Sequence, residues 1–149
     1  MILQNPQTIF SNNFVFVNKI DEENFSYLYF ETLKDTPTRD EWQQIYNFIV
    51  DLYSNYDKEC IMVALIFNLS KLIYISPRML KQWATFFIQN IFVTKRIIIA
   101  SSIILENSII KHFLNTFFSV YNPIKPMKFV KSREDAVLFI KSVLNGYSS

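Results

Sequence analysis

A chain of 149 residues, half of them apolar and 17% aromatic, can bury a full core as a single domain and is too apolar for a disordered linker. A lone cysteine (Cys60) excludes an internal disulfide framework, a lone histidine (His112) leaves a His/Cys metal site short of ligands, and a lone glycine (Gly146) excludes dinucleotide fingerprints and phosphate loops. The net charge of +2 is unevenly spread: residues 1–75 carry five Lys/Arg against ten Asp/Glu, residues 76–149 ten against three, so the halves either pair internally or face different partners.

Residues 1–13, polar and containing Pro6, read as an arm or short edge segment before a domain spanning 14–149. Phe14–Val17 and Phe25–Leu33 have the β-branched and aromatic content of two strands, and the acidic turn Asp21–Asn24 between them predicts a hairpin. Thr38 followed by Glu41 is a capping box. From there Trp42, Ile45, Tyr46, Ile49, Leu52, Tyr53 and Tyr56 recur at helical spacing, which predicts an amphipathic helix.

Ile61–Phe67 is uncharged throughout, the pattern of a strand covered on both faces and therefore central in its sheet. After a connection over 68–75, Ser76-Pro77 opens a second helix carrying Met79, Leu80, Trp83, Phe87 and Ile91. Lys95-Arg96 separates it from a strand at Ile97–Ala100. Asn107 or Ser108 caps a third helix, with Ile110, Phe113, Leu114, Phe117, Phe118 and Tyr121 on its apolar side. Asn122-Pro123 and Pro126 precede a short strand, Met127–Val130. Ser132 then caps a last helix with Glu134 and Asp135 in its first turn and Gly146 as an expected left-handed C-terminal residue.

The resulting order, β-β-α-β-α-β-α-β-α, predicts a single-domain α/β fold: a mostly parallel or mixed sheet of about five strands with four helices. Together with Asn68-Leu69-Ser70-Lys71-Leu72, Tyr74-Ile75 and Ser76-Pro77-Arg78 after the central strand, and Lys128-Phe129-Val130 followed by Ser132-Arg133-Glu134-Asp135-Ala136, it resembles the STAS/SpoIIAA-like family over residues 14–145. It is also similar to the CRAL-TRIO lipid-binding proteins. The family's phosphorylated serine segment does not carry over, because Pro77 and Arg78 stand at the two serine positions and Ser76 replaces the aspartate.

The first resemblance implies a non-enzymatic interaction or regulatory module that meets a protein partner through Asn68, Ser70, Lys71, Ser76, Arg78 and Met79. The second implies a domain that holds a lipid or other apolar ligand in a cavity lined by Trp83, Phe87, Phe113 and Phe117, with Phe86 and Phe118 as further candidates. Ser76 reads first as a helix cap, with a phosphate as the sharper alternative. His112, beside the apolar stripe, reads as a surface imidazole, and Cys60 as a small buried apolar residue. Asp57 and Glu59 are carboxylates without a catalytic spacing. The basic residues Lys81, Lys95, Arg96, Lys111, Lys125, Lys128 and Lys131 are scattered over four elements, so no nucleic-acid partner is expected, nor any cofactor or metal. No apolar run approaches the ~18 residues of a membrane span, because charged or polar residues interrupt each one, and the N-terminus lacks a signal-peptide pattern, so the expected setting is soluble and cytoplasmic.

Overall fold

The computed structural model describes residues 6–146; residues 1–5 of the arm and residues 147–149 lie outside the described residues. Six strands, β1 (Gln7–Ser11), β2 (Val15–Asp21), β3 (Ser26–Thr32), β4 (Val63–Asn68), β5 (Ile98–Ile104) and β6 (Met127–Val130), form one sheet in the order of the chain. Five helices accompany them: α1 (Arg39–Glu59), α2 (Pro77–Gln89), α3 (Ile91–Ile97), α4 (Ser108–Val120) and α5 (Arg133–Gly146).

The hairpin expected near the N-terminus is β2–β3, paired from Val15 with Thr32 to Asp21 with Ser26. Ser26 Oγ donates to Asp21 Oδ1 at 2.7 Å across its closed end, and this bond holds the Asp21 carboxyl below its usual range. β1 adds an antiparallel edge strand with an irregularity between Thr8 and Phe10. From β3 onward all pairings are parallel, and β4 lies between β3 and β5. The uncharged run thus occupies the interior of the sheet, two residues further along than Ile61.

Each parallel connection steps one strand in the same direction, so right-handed crossovers put every connecting helix on one face. On that face Val15, Leu28, Phe30, Val63, Leu65 and Ile103 pack with residues of α1 to α4. α5 follows the last strand and covers the opposite face, where Ala64 and Ala100 of the sheet meet Ala136, Val137 and Ile140. The three alanines are fully buried, and their small side chains let the helix backbone approach the sheet.

α1 starts as its sequence predicts: the Glu41 amide donates to Thr38 Oγ1 at 3.1 Å and the Thr38 amide to Glu41 Oε1 at 2.8 Å. It ends at Cys60, whose φ of 57° is the one left-handed non-glycine backbone among the described residues, with its amide turned back on Tyr56 and Asp57 carbonyls. That helix-end position leaves Cys60 exposed, correcting the expectation of a buried residue. Gly146 belongs to α5 and has no positive φ, so the left-handed residue expected at the end of that helix is not formed there.

Two elements exceed the expected count of five strands and four helices. β1 is the short edge alternative expected within residues 1–13, and it draws only Ile9 and Phe10 into the core. α3 arises because Asn90, at φ −111°, donates its side-chain amide to the Phe86 carbonyl at 2.8 Å and interrupts the helical path. Ile91 therefore opens α3 instead of continuing α2, and Ile97 closes α3 before the strand begins. Two ion pairs, Arg96 with Asp57 and Arg133 with Glu31, join the basic second half to the acidic first half. Among the described residues no helix is long and apolar enough to cross a membrane.

Candidate functional site

α2 buries only Phe86 completely; Met79, Leu80, Trp83 and Phe87 remain half-buried although they form its apolar stripe. A stripe that does not reach full burial lies over unfilled space, and between α2 and the sheet there is a cavity of about 210 Å³. Phe30, Leu65 and Ile103 form its floor. Trp42 and Tyr53 of α1, Trp83 and Phe87 of α2, and Leu114 and Phe117 of α4 form its walls.

The few polar groups in this wall include both a satisfied pair and two orphaned donors. Tyr53 Oη and Thr94 Oγ1 lie 2.9 Å apart, and burial pushes the Tyr53 phenol well above its ordinary pKa against the weaker opposing effect of that bond. The indoles of Trp42 and Trp83 stand 5.1 Å apart, and neither buried Nε1–H has an acceptor. Each such orphan donor costs roughly 1–3 kcal/mol. Among the lining residues Ile88, Asn122 and Pro123 are exposed, which places the mouth between the end of α2 and the loop after α4, with half-buried Lys125 beside it.

Of the residues expected to line a cavity, Trp83, Phe87 and Phe117 do so, as does Phe118. Phe113 packs against the core without reaching the space, and Phe86 fills the α1–α2 contact beside Tyr46 and Tyr53. Helical periodicity had no means of revealing Leu72, Ile124 and Lys125, which come from loops that only the tertiary fold brings together. Trp42 and Tyr53 were visible as an α1 stripe, but a stripe does not say whether it faces side chains or a void.

A second cluster lies at the carboxyl ends of β3 and β4, on the α5 side of the sheet. Asn68 Nδ2 donates to Tyr29 Oη at 2.7 Å, and Tyr29 Oη donates to Glu31 Oε1 at 2.7 Å. The Arg133 guanidinium lies 4.2 Å from the centre of the Tyr29 ring and 3.8 Å from Glu31. Burial raises the Tyr29 pKa, while its bonds to Asn68 and Arg133 oppose the rise. Asn68 Oδ1 accepts from the Ser70 amide at 3.1 Å and also from the Ser70 hydroxyl.

A solved structure of an uncharacterized protein from the DUF3478 family, with a SpoIIAA-like fold and from Shewanella loihica PV-4, matches this chain at a TM-score of 0.60. The match covers 89% of this chain and 98% of that one. The fold is SpoIIAA-like. At 12% sequence identity the likeness reaches the fold alone. No protein-family model and no curated protein matches the chain.

In this SpoIIAA-like fold the turn after β4 and the start of α2 form one exposed rim. Ser70, Lys71 and Arg78 are exposed, whereas Asn68, Ser76 and Met79 are half-buried. Ser76 Oγ accepts from the Met79 amide at 3.1 Å, so it caps α2 with Pro77 at the first helical position. The connection is pinned to the loop before α1, since the Ile73 and Tyr74 amides donate to the Asp35 carbonyl at 2.8 and 3.2 Å. Elsewhere, His112 is exposed on α4 and Asp57 is bound to Arg96, with Arg96 Nε 3.0 Å from Asp57 Oδ1. Among the described residues no group of three or more His, Cys, Asp or Glu could hold a metal ion.

Proposed function

We propose that this chain is a non-catalytic binding module that holds a small apolar ligand between its sheet and its helices. The cavity of about 210 Å³ carries the reading, because its wall is almost wholly apolar and includes two indoles with unpaired N–H groups. A cavity of about 150 Å³ with comparable walls stays dry and takes up benzene, whereas drug-sized ligands occupy roughly 300–1,000 Å³. The ligand is therefore one ring or a short chain, not a long lipid. Native mass spectrometry after mild purification, together with a titration of 1-octanol followed by tryptophan emission, tests it. A retained small mass or a saturable emission change supports the reading, and a clean apo mass with no response sinks it.

A second reading, a regulatory module that meets a protein partner, is favoured by one observation on the rim after β4. Ile73 is 61% and Tyr74 57% exposed there, between the cations Lys71 and Arg78. Apolar side chains so exposed beside charge suit a docking patch. A pull-down whose bound proteins are unchanged by Lys71→Glu with Arg78→Glu counts against it. The setting proposed for either role is the cytoplasm, since the exposed free thiol of Cys60 suits a reducing compartment.

A further inference from the structure

The apolar-ligand reading leaves the ligand's chemistry open, and the mouth of the cavity narrows it. Resting on that reading, we infer that the ligand is a small amphipathic monocarboxylate whose apolar body fills the cavity and whose carboxylate meets the Lys125 ammonium at the mouth. Scaling from the six carbons of benzene in about 150 Å³, a space of about 210 Å³ takes a body of about eight non-hydrogen atoms. That is a medium-length chain or a single ring with a short arm. An anion cannot follow this body inside, because the desolvation of a charge among apolar walls is prohibitive, so any anionic group stays at the rim.

Lys125 stands at that rim and is incompletely engaged. It lines the cavity, is half-buried, and reaches only the Lys95 carbonyl, at 3.5 Å. An ammonium has three donors, so two remain for a ligand. None of the ion pairs among the described residues includes Lys125; the neighbouring Arg96 is already bound to Asp57, and Lys95 is exposed close by. Lys125 is the one charged residue in the lining of the cavity, beside an opening whose exposed lining residues, Ile88, Asn122 and Pro123, carry no charge. A single cation matches a single negative charge, which favours a monocarboxylate over a dianion.

The test titrates octanoate, 1-octanol and hexadecanoate into the full chain, read by calorimetry and by the emission of Trp42 and Trp83. Octanoate is expected to bind one to one, with Lys125→Met weakening it about tenfold, the size of one lost charge-assisted bond, and leaving 1-octanol within about twofold. Ala84→Phe, which fills the cavity from α2, is expected to abolish both; if that variant loses its helical circular dichroism, Ala84→Met serves in its place. Binding of 1-octanol with octanoate indifferent to Lys125→Met overturns this inference while leaving the apolar-ligand reading in force. One-to-one hexadecanoate binding as tight as that of octanoate overturns the size limit, and absence of binding by all three overturns both readings.

Discussion

The phenol of Tyr53 on α1 and the hydroxyl of Thr94 on α3 meet at 2.9 Å with both side chains buried, an interior polar tie between two helices that the Arg96–Asp57 ion pair also joins at the surface. Tyr53→Phe leaves the Thr94 hydroxyl without this partner and is expected to destabilise the protein by roughly 1–3 kcal/mol. Adding Thr94→Val removes the orphan, so the double variant is expected to be no less stable than Tyr53→Phe alone. Urea-unfolding midpoints measure both, and strictly additive losses would refute the coupling.

Tyr27 presents the opposite case. Its hydroxyl is buried on the α5 face without a partner, and burial, with Glu22 adding to it, pushes the phenol up to about 12. Because the folded pKa exceeds the unfolded one near 10, the native state holds its proton longer, and stability present below pH 10 is lost as pH rises toward 12. Tyr27→Phe removes an unsatisfied donor and is expected to stabilise the protein by about 1 kcal/mol at pH 7 and to flatten the alkaline decline. Tyr53, Tyr29 and Tyr56 are raised too, so the readout is the difference between wild type and variant. A loss of stability at pH 7 contradicts the prediction.

Glu41 governs part of the acid limb. Burial raises its pKa, but Lys34, 2.7 Å away, and the bonds to Thr38 outweigh this and hold the carboxyl below its ordinary 4.5. The native state therefore binds fewer protons than the unfolded chain, and the stability gained above pH 4.5 is lost as pH falls through the lower folded value. Glu41→Gln keeps a residue able to close the capping box and loses the ion pair. It is expected to cost about 0.5–1 kcal/mol at pH 7 and much less at pH 3, as urea midpoints across that range would register. Asp21 contributes in the same direction and cancels in the comparison.

Ser76→Ala removes the side chain that accepts from the Met79 amide and is expected to cost about 1 kcal/mol, with Ser76→Asp restoring most of it. Thermal unfolding of the three proteins checks this, and a Ser76→Ala variant as stable as wild type would show that Pro77 alone sets the start of α2.

What could be read from the residues and what could not divide along the range of the interaction. Thr38 with Glu41, Ser76 with Pro77, and Ser132 before two acids are local signals, and the helices begin at each of them. The uncharged Ile61–Phe67 run located the interior strand, but Met62 is 42% exposed and pairing begins at Val63, because the chain must first leave the helix end at Cys60. The break at Asn90 carries no Gly or Pro, and only a side-chain bond to Phe86 marks it. The cavity was legible as aromatics on α2 and α4, while its emptiness and its cationic mouth depend on distances between elements far apart in sequence.

The sequential arrangement of the strands has a consequence for how the molecule is made. As the chain leaves the ribosome, each new strand finds its neighbour already in place, so the sheet grows by accretion at a single advancing edge and no strand has to be inserted between two others. Contacts close in the order in which they are synthesised, which keeps loops short and limits the time an unpaired edge is exposed to aggregation. α5, which emerges after all six strands, covers the remaining side of the sheet.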